Sequence, residues 1–204
     1  MTIERIQLPP IGTNCYLVVS EAGGCAVIDP AADPARILER CAGLEATVRY
    51  ILLTHGHFDH IGAVAALRQK TGAPVLLSAA DAPMLTDPVC SLAASFGMAQ
   101  QMVQPDRLLR EGDALELDEL TFTVLETPGH TPGSLCFLCG DTLFSGDTLF
   151  RDSIGRTDFP GGSKSDMQQS LRRLAGLEGD LRVLPGHEGE TTLERERRRN
   201  PYLR

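Results

Sequence analysis

The sequence lacks a long apolar run, and it lacks an N-terminal block of basic and then apolar residues. A membrane-spanning helix needs about 20 consecutive, mostly apolar residues, and no segment of this chain approaches that length. A secretory signal peptide would need a basic stretch followed by an apolar one, which the opening segment Met1–Ile6 does not provide. We therefore expect no membrane association and a cytoplasmic location.

An excess of basic residues is also missing. Asp and Glu total 27 against 19 for Lys and Arg, which gives a formal net charge of −8. A broad nucleic-acid-binding face needs clustered Lys and Arg, so we expect no nucleic-acid partner. The chain has no linker, low-complexity tract or strong short-period repeat, and 42% of its residues are hydrophobic. This composition predicts one globular domain over residues 1–204 with a sizeable buried core.

The six cysteines show no spacing typical of a disulfide framework. Cys136 and Cys139 form a C-x-x-C pair, but the surrounding Ser-Leu-Cys-Phe-Leu-Cys is typical of a strand. Residues three apart on a strand point to opposite faces, so this pair would not bind one ion. We expect all six cysteines to be reduced packing residues, which fits a reducing compartment.

Histidine is scarce, yet all five histidines lie in turn contexts that follow apolar stretches. Three of them share the hexapeptide His55–His60 with an aspartate, and His130 and His187 lie in Gly/Pro-rich turns. Asp147 follows another apolar stretch in Ser-Gly-Asp-Thr. Imidazole nitrogen and carboxylate oxygen are ligands that zinc and similar divalent metals prefer. Purely structural histidines would not explain this clustering, and a closed structural zinc site would favour cysteine.

The apolar pattern predicts strands and helices in both halves of the chain. Strands are predicted at Ile3–Leu8, Cys15–Val19, Cys25–Asp29, Val48–Leu53, Val75–Leu77, Ala114–Leu117, Leu120–Glu126, Leu135–Leu138, Leu143–Phe144 and Leu181–Leu184. Helices are predicted at residues 33–42, 61–70, 163–174 and 194–199, with a broken helix at 79–103 whose methionines fill the core. These elements favour two mixed sheets face to face with helices outside. Because the candidate ligands follow the C-terminal ends of predicted strands, we expect the site along one edge.

The first half of the cluster predicts one metal ion. His55 and His57 are two residues apart in extended backbone, so their side chains can point the same way and bind one ion. Gly56 between them keeps the turn free of a third side chain. His130, in its own tight turn, can complete the imidazole set of this ion.

The remaining ligands predict a second ion beside the first. Asp59 and His60 fall where the chain turns into the next helix, and His187 can join them, while Asp147 can bridge the two ions through its two oxygens. Two ions about 3.5–4 Å apart would lower the pKa of a bridging water and give a nucleophilic hydroxide. We expect Asp59 to orient that hydroxide or to take its proton. Zn²⁺ is the favoured metal, although Fe and Mn accept the same ligands.

The motif His-x-His-x-Asp-His, with the later His130, Asp147 and His187, resembles the metallo-β-lactamase fold superfamily over nearly the whole chain. The resemblance implies an α/β (α+β) fold, a four-layer αββα sandwich, and the ligand roles given above. Several segments are similar to the small type II glyoxalase-like group, namely Gly12–Tyr16, Thr127–Gly133, Gly146–Phe150 and Ser153–Phe159.

This narrower resemblance implies hydrolysis of an acyl thioester. Full type II glyoxalases (hydroxyacylglutathione hydrolases) cleave S-lactoylglutathione to lactate and glutathione. They also carry a C-terminal helical domain that contributes much of the glutathione-binding surface, whereas this chain ends 17 residues after His187. We therefore expect thioester hydrolysis of a small-molecule substrate to carry over, but not glutathione as the thiol.

Three residues outside the metal set are further candidates for the site. Arg156 could bind a substrate carboxylate, because guanidinium favours that geometry, or it could pair internally with Asp158. Phe159 could form a pocket wall or could only hold its own loop in place. Asp29, at a strand end, could hydrogen-bond a ligand histidine or be an ordinary turn carboxylate.

Other activities of the same fold are the alternatives. A sulfur dioxygenase resembles this chain in the segment Gly155–Phe159 but uses one iron held by two His and one Asp. The complete second set of Asp59, His60 and His187 favours hydrolysis instead. A lactone or β-lactam hydrolase is a further possibility, although the zinc β-lactamases typically have cysteine where this chain has Asp147. A phosphodiesterase for tRNA ends is disfavoured by the acidic net charge.

Overall fold

The computed structural model describes residues 1–203, in which fourteen strands and five α-helices are formed. The strands are β1 (Thr2–Leu8), β2 (Thr13–Val19), β3 (Gly24–Ile28), β4 (Thr47–Leu52), β5 (Val75–Ser78), β6 (Arg107–Leu109), β7 (Ala114–Leu117), β8 (Leu120–Glu126), β9 (Leu135–Cys139), β10 (Thr142–Gly146), β11 (Leu149–Phe150), β12 (Ser153–Ile154), β13 (Arg182–Pro185) and β14 (Thr191–Thr192). The helices are α1 (Pro34–Gly43), α2 (Phe58–Ile61), α3 (Val64–Thr71), α4 (Lys164–Ala175) and α5 (Leu193–Arg199).

Two six-stranded mixed sheets contain most of the strands. The first has the order β1-β2-β3-β4-β5-β6, antiparallel from β1 to β3 and parallel from β3 to β6. The second has the order β14-β13-β10-β9-β8-β7, in which only β10 and β13 pair in parallel. Parallel neighbours need a crossover, and α1, the α2–α3 segment and α4 lie in these connections.

Three buried apolar clusters define the layers. Ile37 of α1 and Leu67 of α3 pack on one face of the first sheet, and Leu171 of α4 packs on the outer face of the second. Between the sheets, β2 and β10 contribute Tyr16 and Phe144 to the central cluster, their rings 5.5 Å apart. This order of helices, sheet, sheet and helices confirms the predicted αββα sandwich.

The cysteine pair on β9 follows the alternation of a strand. Cys136 belongs to the cluster under α4, whereas Cys139 belongs to the cluster between the sheets. The prediction that these two thiols point to opposite faces is therefore confirmed. All six cysteines are free thiols in the structure, and five of them are buried.

Parallel pairing brings the candidate ligands to one edge of the sandwich. In the first sheet, Asp29 follows β3 and His55 comes shortly after the neighbouring β4. In the second sheet, Asp147 follows β10 and His187 comes shortly after the neighbouring β13. The backbone joins the two sheets at this edge, because Leu135 N donates to Thr54 O at 2.7 Å.

Two helical predictions were wrong in detail. Residues 79–103 form only two short 3₁₀ helices, at Ala82–Leu85 and Ala94–Phe96, because Pro83 and Pro88 interrupt backbone hydrogen bonding. The predicted helix at 61–70 is divided into α2 and α3 around Gly62, whose backbone lies against Ala31 O. No helix within residues 1–203 combines the length and hydropathy of a membrane span.

We expect the central cluster to dominate stability, and Phe144→Ala is the test. The Phe144 side chain is fully buried between the sheets, so its removal should lower the free energy of unfolding by about 3–5 kcal/mol. Leu108→Ala is the control, since Leu108 is 51% exposed and its truncation should change little. Urea denaturation followed by circular dichroism measures both variants, and equal effects would contradict this placement of the core.

Candidate metal centre

The loop between β4 and α2, together with α2 itself, brings four of the candidate ligands to the sheet edge. His57 has extended backbone and occupies the N-cap position of α2, so His55 and His57 precede the helix while Asp59 and His60 lie within it. The side chains of all four are buried. The turn between β8 and β9 contributes His130, and the loop after β13 contributes His187.

The structure brings the seven predicted ligands together in overlapping groups. We call His55, His57 and His130 the first ligand group, and Asp59, His60 and His187 the second ligand group. Within each group, the potential ligand atoms lie within 4.8 Å of one another. His55 and His60 also form such a group with Asp147, so the two sets are adjacent.

Short distances between nitrogen and oxygen atoms mark the centre. His57 Nδ1 lies 2.9 Å from His130 Nε2, and His60 Nε2 lies 3.3 Å from His187 Nε2. Asp147 Oδ2 lies 3.5 Å from the Nε2 atoms of both His130 and His187. Asp147 is therefore located between the two ligand groups, where the sequence predicts a bridging carboxylate.

The donor set fits a bound cation. His55 Nε2 and Asp147 Oδ1 are buried and have no hydrogen-bond partner among the described residues. Such atoms cost free energy when they are left unpaired, and a divalent ion between them would remove that cost. Imidazole nitrogens and carboxylate oxygens are also the ligand types that suit Zn²⁺, Fe²⁺ and Mn²⁺.

Electrostatics at the centre favour the neutral form of His55 and His57 in the first ligand group. Burial, together with the neighbouring His130, lowers the pKa of His57 to about 3. Burial and three neighbouring histidines also hold the pKa of His55 well below its usual value. The neutral form is the one that binds a metal, so these two side chains are ready to act as ligands.

The second ligand group contains opposite charges. Burial acts to lower the pKa of His60, but Asp59, Asp147 and Asp29 together raise it well above its usual value. Burial likewise acts to raise the pKa of Asp59, but His60 and His187 hold it well below the ordinary range. The carboxylates at this point thus favour a positive charge between them, which a proton or a metal ion can supply.

Hydrogen bonds on the far side of the rings fix their orientation. Asp29 Oδ2 accepts from His60 Nδ1 at 3.0 Å and from Thr54 Oγ1 at 2.6 Å, and Thr54 Oγ1 contacts His55 Nδ1 at 3.1 Å. His130 Nδ1 donates to Arg156 O at 2.7 Å. In each case the Nε2 atom is left to face the centre, which is the usual arrangement around ligand histidines.

Asp81 is a buried carboxylate of the centre that our sequence analysis missed. Its Oδ2 accepts from Gly56 N at 3.1 Å and from Thr131 Oγ1 at 2.7 Å, and its Oδ1 accepts from Gly133 N at 2.8 Å. It therefore joins the turn that carries His57 to the turn that carries His130. Asp81 lies in the irregular segment after β5, where no spacing or motif marks it in the sequence.

The loop that carries His187 is held by residues of β2. Asn14 Nδ2 donates to Pro185 O at 2.9 Å and to Glu188 O at 3.0 Å, and Tyr16 Oη donates to Pro185 O at 2.7 Å. Gly186 is required in this loop, because a Cβ there would lie 2.3 Å from Asp147 Oδ1. The close approach of the backbone brings His187 to the carboxylate of Asp147.

A cleft of about 420 Å³ opens from the centre to the surface. Phe159 lines this cleft, and its ring lies 5.7 Å from that of His57, as expected for a pocket wall. Arg156 also lines it, but Nε and Nη2 of its guanidinium each donate to Asp158 at 2.7 Å. In the structure Arg156 therefore forms the internal ion pair with Asp158. Binding of a substrate carboxylate by Arg156 stays a prediction.

We predict that Asp81 supports the first ligand group. Asp81→Ala should weaken binding of one ion by about 10- to 100-fold, because the turns of His57 and His130 lose their common acceptor. Zn²⁺ titration against a chromophoric chelator measures the two affinities. In a His57→Ala background, Asp81→Ala should cause no further loss of metal affinity, because both changes act on the ion of the first ligand group. In a His187→Ala background, where binding of the ion at the second ligand group is already weakened, Asp81→Ala should weaken binding of the other ion as well.

The control for this prediction is the exposed Asp87→Ala, in the same segment, which should retain both ions. Circular dichroism checks that each variant remains folded. Equal weakening of both ions in Asp81→Ala would contradict the assignment to the first ligand group.

Comparison with known proteins agrees with this geometry. The model of the Metallo-beta-lactamase superfamily matches residues 8–187. Hydroxyacylglutathione hydrolase GloC of Haemophilus influenzae is 36% identical over 208 residues, covering 100% of this chain and 98% of that protein. The matched region of the family model includes all seven candidate ligands, the last of which is His187.

Two solved structures show the same architecture. The B3 metallo-beta-lactamase BLEG-1 superimposes with a TM-score of 0.94 at 36% identity, covering 99% of both chains. TTHA1623, solved in a di-iron-bound form, superimposes with a TM-score of 0.88 at 40% identity, covering 98% of this chain and 100% of that one. Sequence, fold and ligand geometry together place this chain in the metallo-beta-lactamase superfamily.

Proposed function

We propose that the protein uses two divalent metal ions to hydrolyse acyl thioesters of the S-lactoylglutathione type. Its family membership shows a metal-dependent hydrolase in general. The proposal adds the number of ions, Zn²⁺ as the favoured metal, and a thioester as the bond that is cleaved. We further propose that residues 1–204 act as one domain in the cytoplasm, which fits the free cysteines.

The single observation that carries the proposal is the pair of complete ligand groups with Asp147 between them. When bound, two such ions activate a water molecule and polarise the carbonyl of an ester or thioester. A mononuclear iron dioxygenase would need only two histidines and one carboxylate. The second ligand group would then have no role, which favours hydrolysis over the dioxygenase alternative.

Asp59 is the residue that we propose to orient the attacking water. Its carboxylate lines the cleft and lies 3.2 Å from His187 Nε2 and 3.3 Å from Thr13 Oγ1. Because neighbouring histidines hold its pKa far below the ordinary range, Asp59 stays ionised and acts as a hydrogen-bond acceptor. An ionised acceptor among the proposed metal ligands can fix the direction of a water O–H bond.

Two observations support a thioester as the proposed substrate: the name of a similar protein and the size of the cleft. The relative from Haemophilus influenzae is named a hydroxyacylglutathione hydrolase. The cleft of about 420 Å³ has room for a small molecule, and the net charge of −8 disfavours a nucleic-acid substrate.

We expect the metal-loaded protein to release thiol from S-lactoylglutathione or from a simpler lactoyl thioester. Thiol release is measured with a chromogenic thiol reagent, beside metal analysis of the same sample. Treatment with a chelator should abolish hydrolysis, and added Zn²⁺ should restore it, because the ions supply the activated water. Oxygen consumption without thioester hydrolysis, in a protein that contains one iron, would favour the dioxygenase instead.

Loss of single ligands should separate metal binding from folding. We expect His57→Ala and Asp147→Ala each to reduce thioester hydrolysis at least about 100-fold and to lower the bound metal below two ions per chain. Glu116→Gln, which changes an exposed carboxylate on β7, is the control and should retain both metal and activity. Two ions per chain with full activity in either ligand variant would overturn the site assignment.

A further inference from the structure

A row of aromatic rings leads from the metal centre to the mouth of the cleft. The ring of Phe159 lies 5.7 Å from that of His57 and 6.4 Å from that of Phe96, which in turn stacks on Phe58 at 5.0 Å. All three phenylalanines line the cleft, and we call them the aromatic rim. Phe96 is 55% exposed, although a ring of this size gains free energy on burial. The aromatic rim thus presents apolar surface that a ligand can cover.

Among residues 1–203, the cleft has no unpaired cation beside the aromatic rim. Apart from the proposed metal ligands, its charged lining residues are Arg156 and Glu188. The Arg156 guanidinium is held by Asp158 and lies 3.9 Å from the centre of the Phe159 ring. The Glu188 carboxylate, by contrast, has no hydrogen-bond or ion-pair partner among residues 1–203. The surface outside the metal centre is therefore apolar and slightly negative.

Other arginines lie nearby, but they line a separate cavity. Arg151, Arg5 and Arg182 belong to a second cavity of about 450 Å³ that shares none of its lining residues with the cleft. Arg182 is paired there with Glu190, and Arg5 donates to the carbonyl of Glu188. Arg151 is the candidate in that cavity for an unpaired cation.

We propose that the thiol arm of the substrate is uncharged and apolar, an aromatic or branched aliphatic thiol, and that it packs on the aromatic rim. This inference rests on the proposed thioester hydrolysis. Water oxygen bonds to the acyl carbon, the C–S bond breaks, and the products are the carboxylic acid and the free thiol. A small acyl group such as lactoyl remains at the metal centre, so the thiol arm is the part that reaches the rim.

The physical reason is that charged and apolar thiol arms differ in the hydration they lose and in the protein contacts they gain on binding. Glutathione carries one ammonium group, which can pair with Glu188, and two carboxylates. These carboxylates would give up hydration beside Glu188 and gain no free cation in return. An aromatic arm would bury apolar surface against Phe96 and Phe159 without that penalty. The cleft therefore favours an uncharged, apolar thiol arm over one that carries carboxylates.

The experiment compares lactoyl thioesters that differ only in the thiol. The probes are S-lactoylglutathione, its diethyl ester, in which both carboxylates are masked, and S-lactoyl benzyl thioester. We expect kcat/KM to rise in that order, with the benzyl thioester at least about tenfold above S-lactoylglutathione. The highest kcat/KM for S-lactoylglutathione would overturn the inference and leave the proposed function intact. No hydrolysis of any probe by metal-loaded protein would instead overturn the proposed function.

Three variants test the residues behind this order. Phe96→Ala should lower kcat/KM for the benzyl thioester by about tenfold, a clearly larger loss than the one it causes for S-lactoylglutathione. Asp158→Asn should release Arg156 and raise kcat/KM for S-lactoylglutathione severalfold, without a gain for the benzyl thioester. Arg151→Ala is the control and should change neither value. A selective loss of S-lactoylglutathione hydrolysis in Arg151→Ala would mean that the second cavity binds the carboxylates, which would overturn the inference.

Discussion

The metal centre places side chains that carry lone pairs or negative charge in close contact at a buried sheet edge. His57 Nδ1 and His130 Nε2 are only 2.9 Å apart, and Asp147 Oδ1 has no hydrogen-bond partner among the described residues. Neutral imidazole nitrogens that face each other do not attract unless a proton or an ion lies between them. A bound cation would satisfy these lone pairs together, and the surrounding structure keeps the candidate ligands in place for it.

Two buried carboxylates support this arrangement from behind. Asp29 accepts hydrogen bonds from Thr54 and His60, and Asp81 accepts from Thr131 and two backbone N–H groups. Neither carboxylate has a Lys or Arg partner within residues 1–203, so each depends on several hydrogen bonds to offset the cost of its burial. Each carboxylate accepts hydrogen bonds from at least one turn other than its own. The positions of these turns are therefore coupled through side chains and not through the backbone hydrogen bonds of a sheet.

The seven candidate ligands that the structure brings together could be identified from the sequence, because their signal is local. The spacing of His55 and His57 and the polar turns after apolar strands require no knowledge of distant contacts. Asp81 could not be found in this way, since its partners lie 25 to 52 residues away in the chain. The exposure of two methionines in the segment 79–103 could not be predicted either: Met84 and Leu85 are buried, but Met98 and Met102 are 40% and 64% exposed, so these two do not fill the core as predicted.

The candidate metal ligands are held by the two sheets, whereas the aromatic rim is not. Asp147 directly follows β10, and His187 lies two residues after the neighbouring β13. The close approach of Gly186 to Asp147 leaves no room for a larger residue. Phe96 lies in an irregular connection and is largely exposed, so a change there disturbs no hydrogen-bonded ladder. Substrate preference can therefore change through the aromatic rim and the charge of its neighbours, while the geometry of the metal centre is preserved by the sheets.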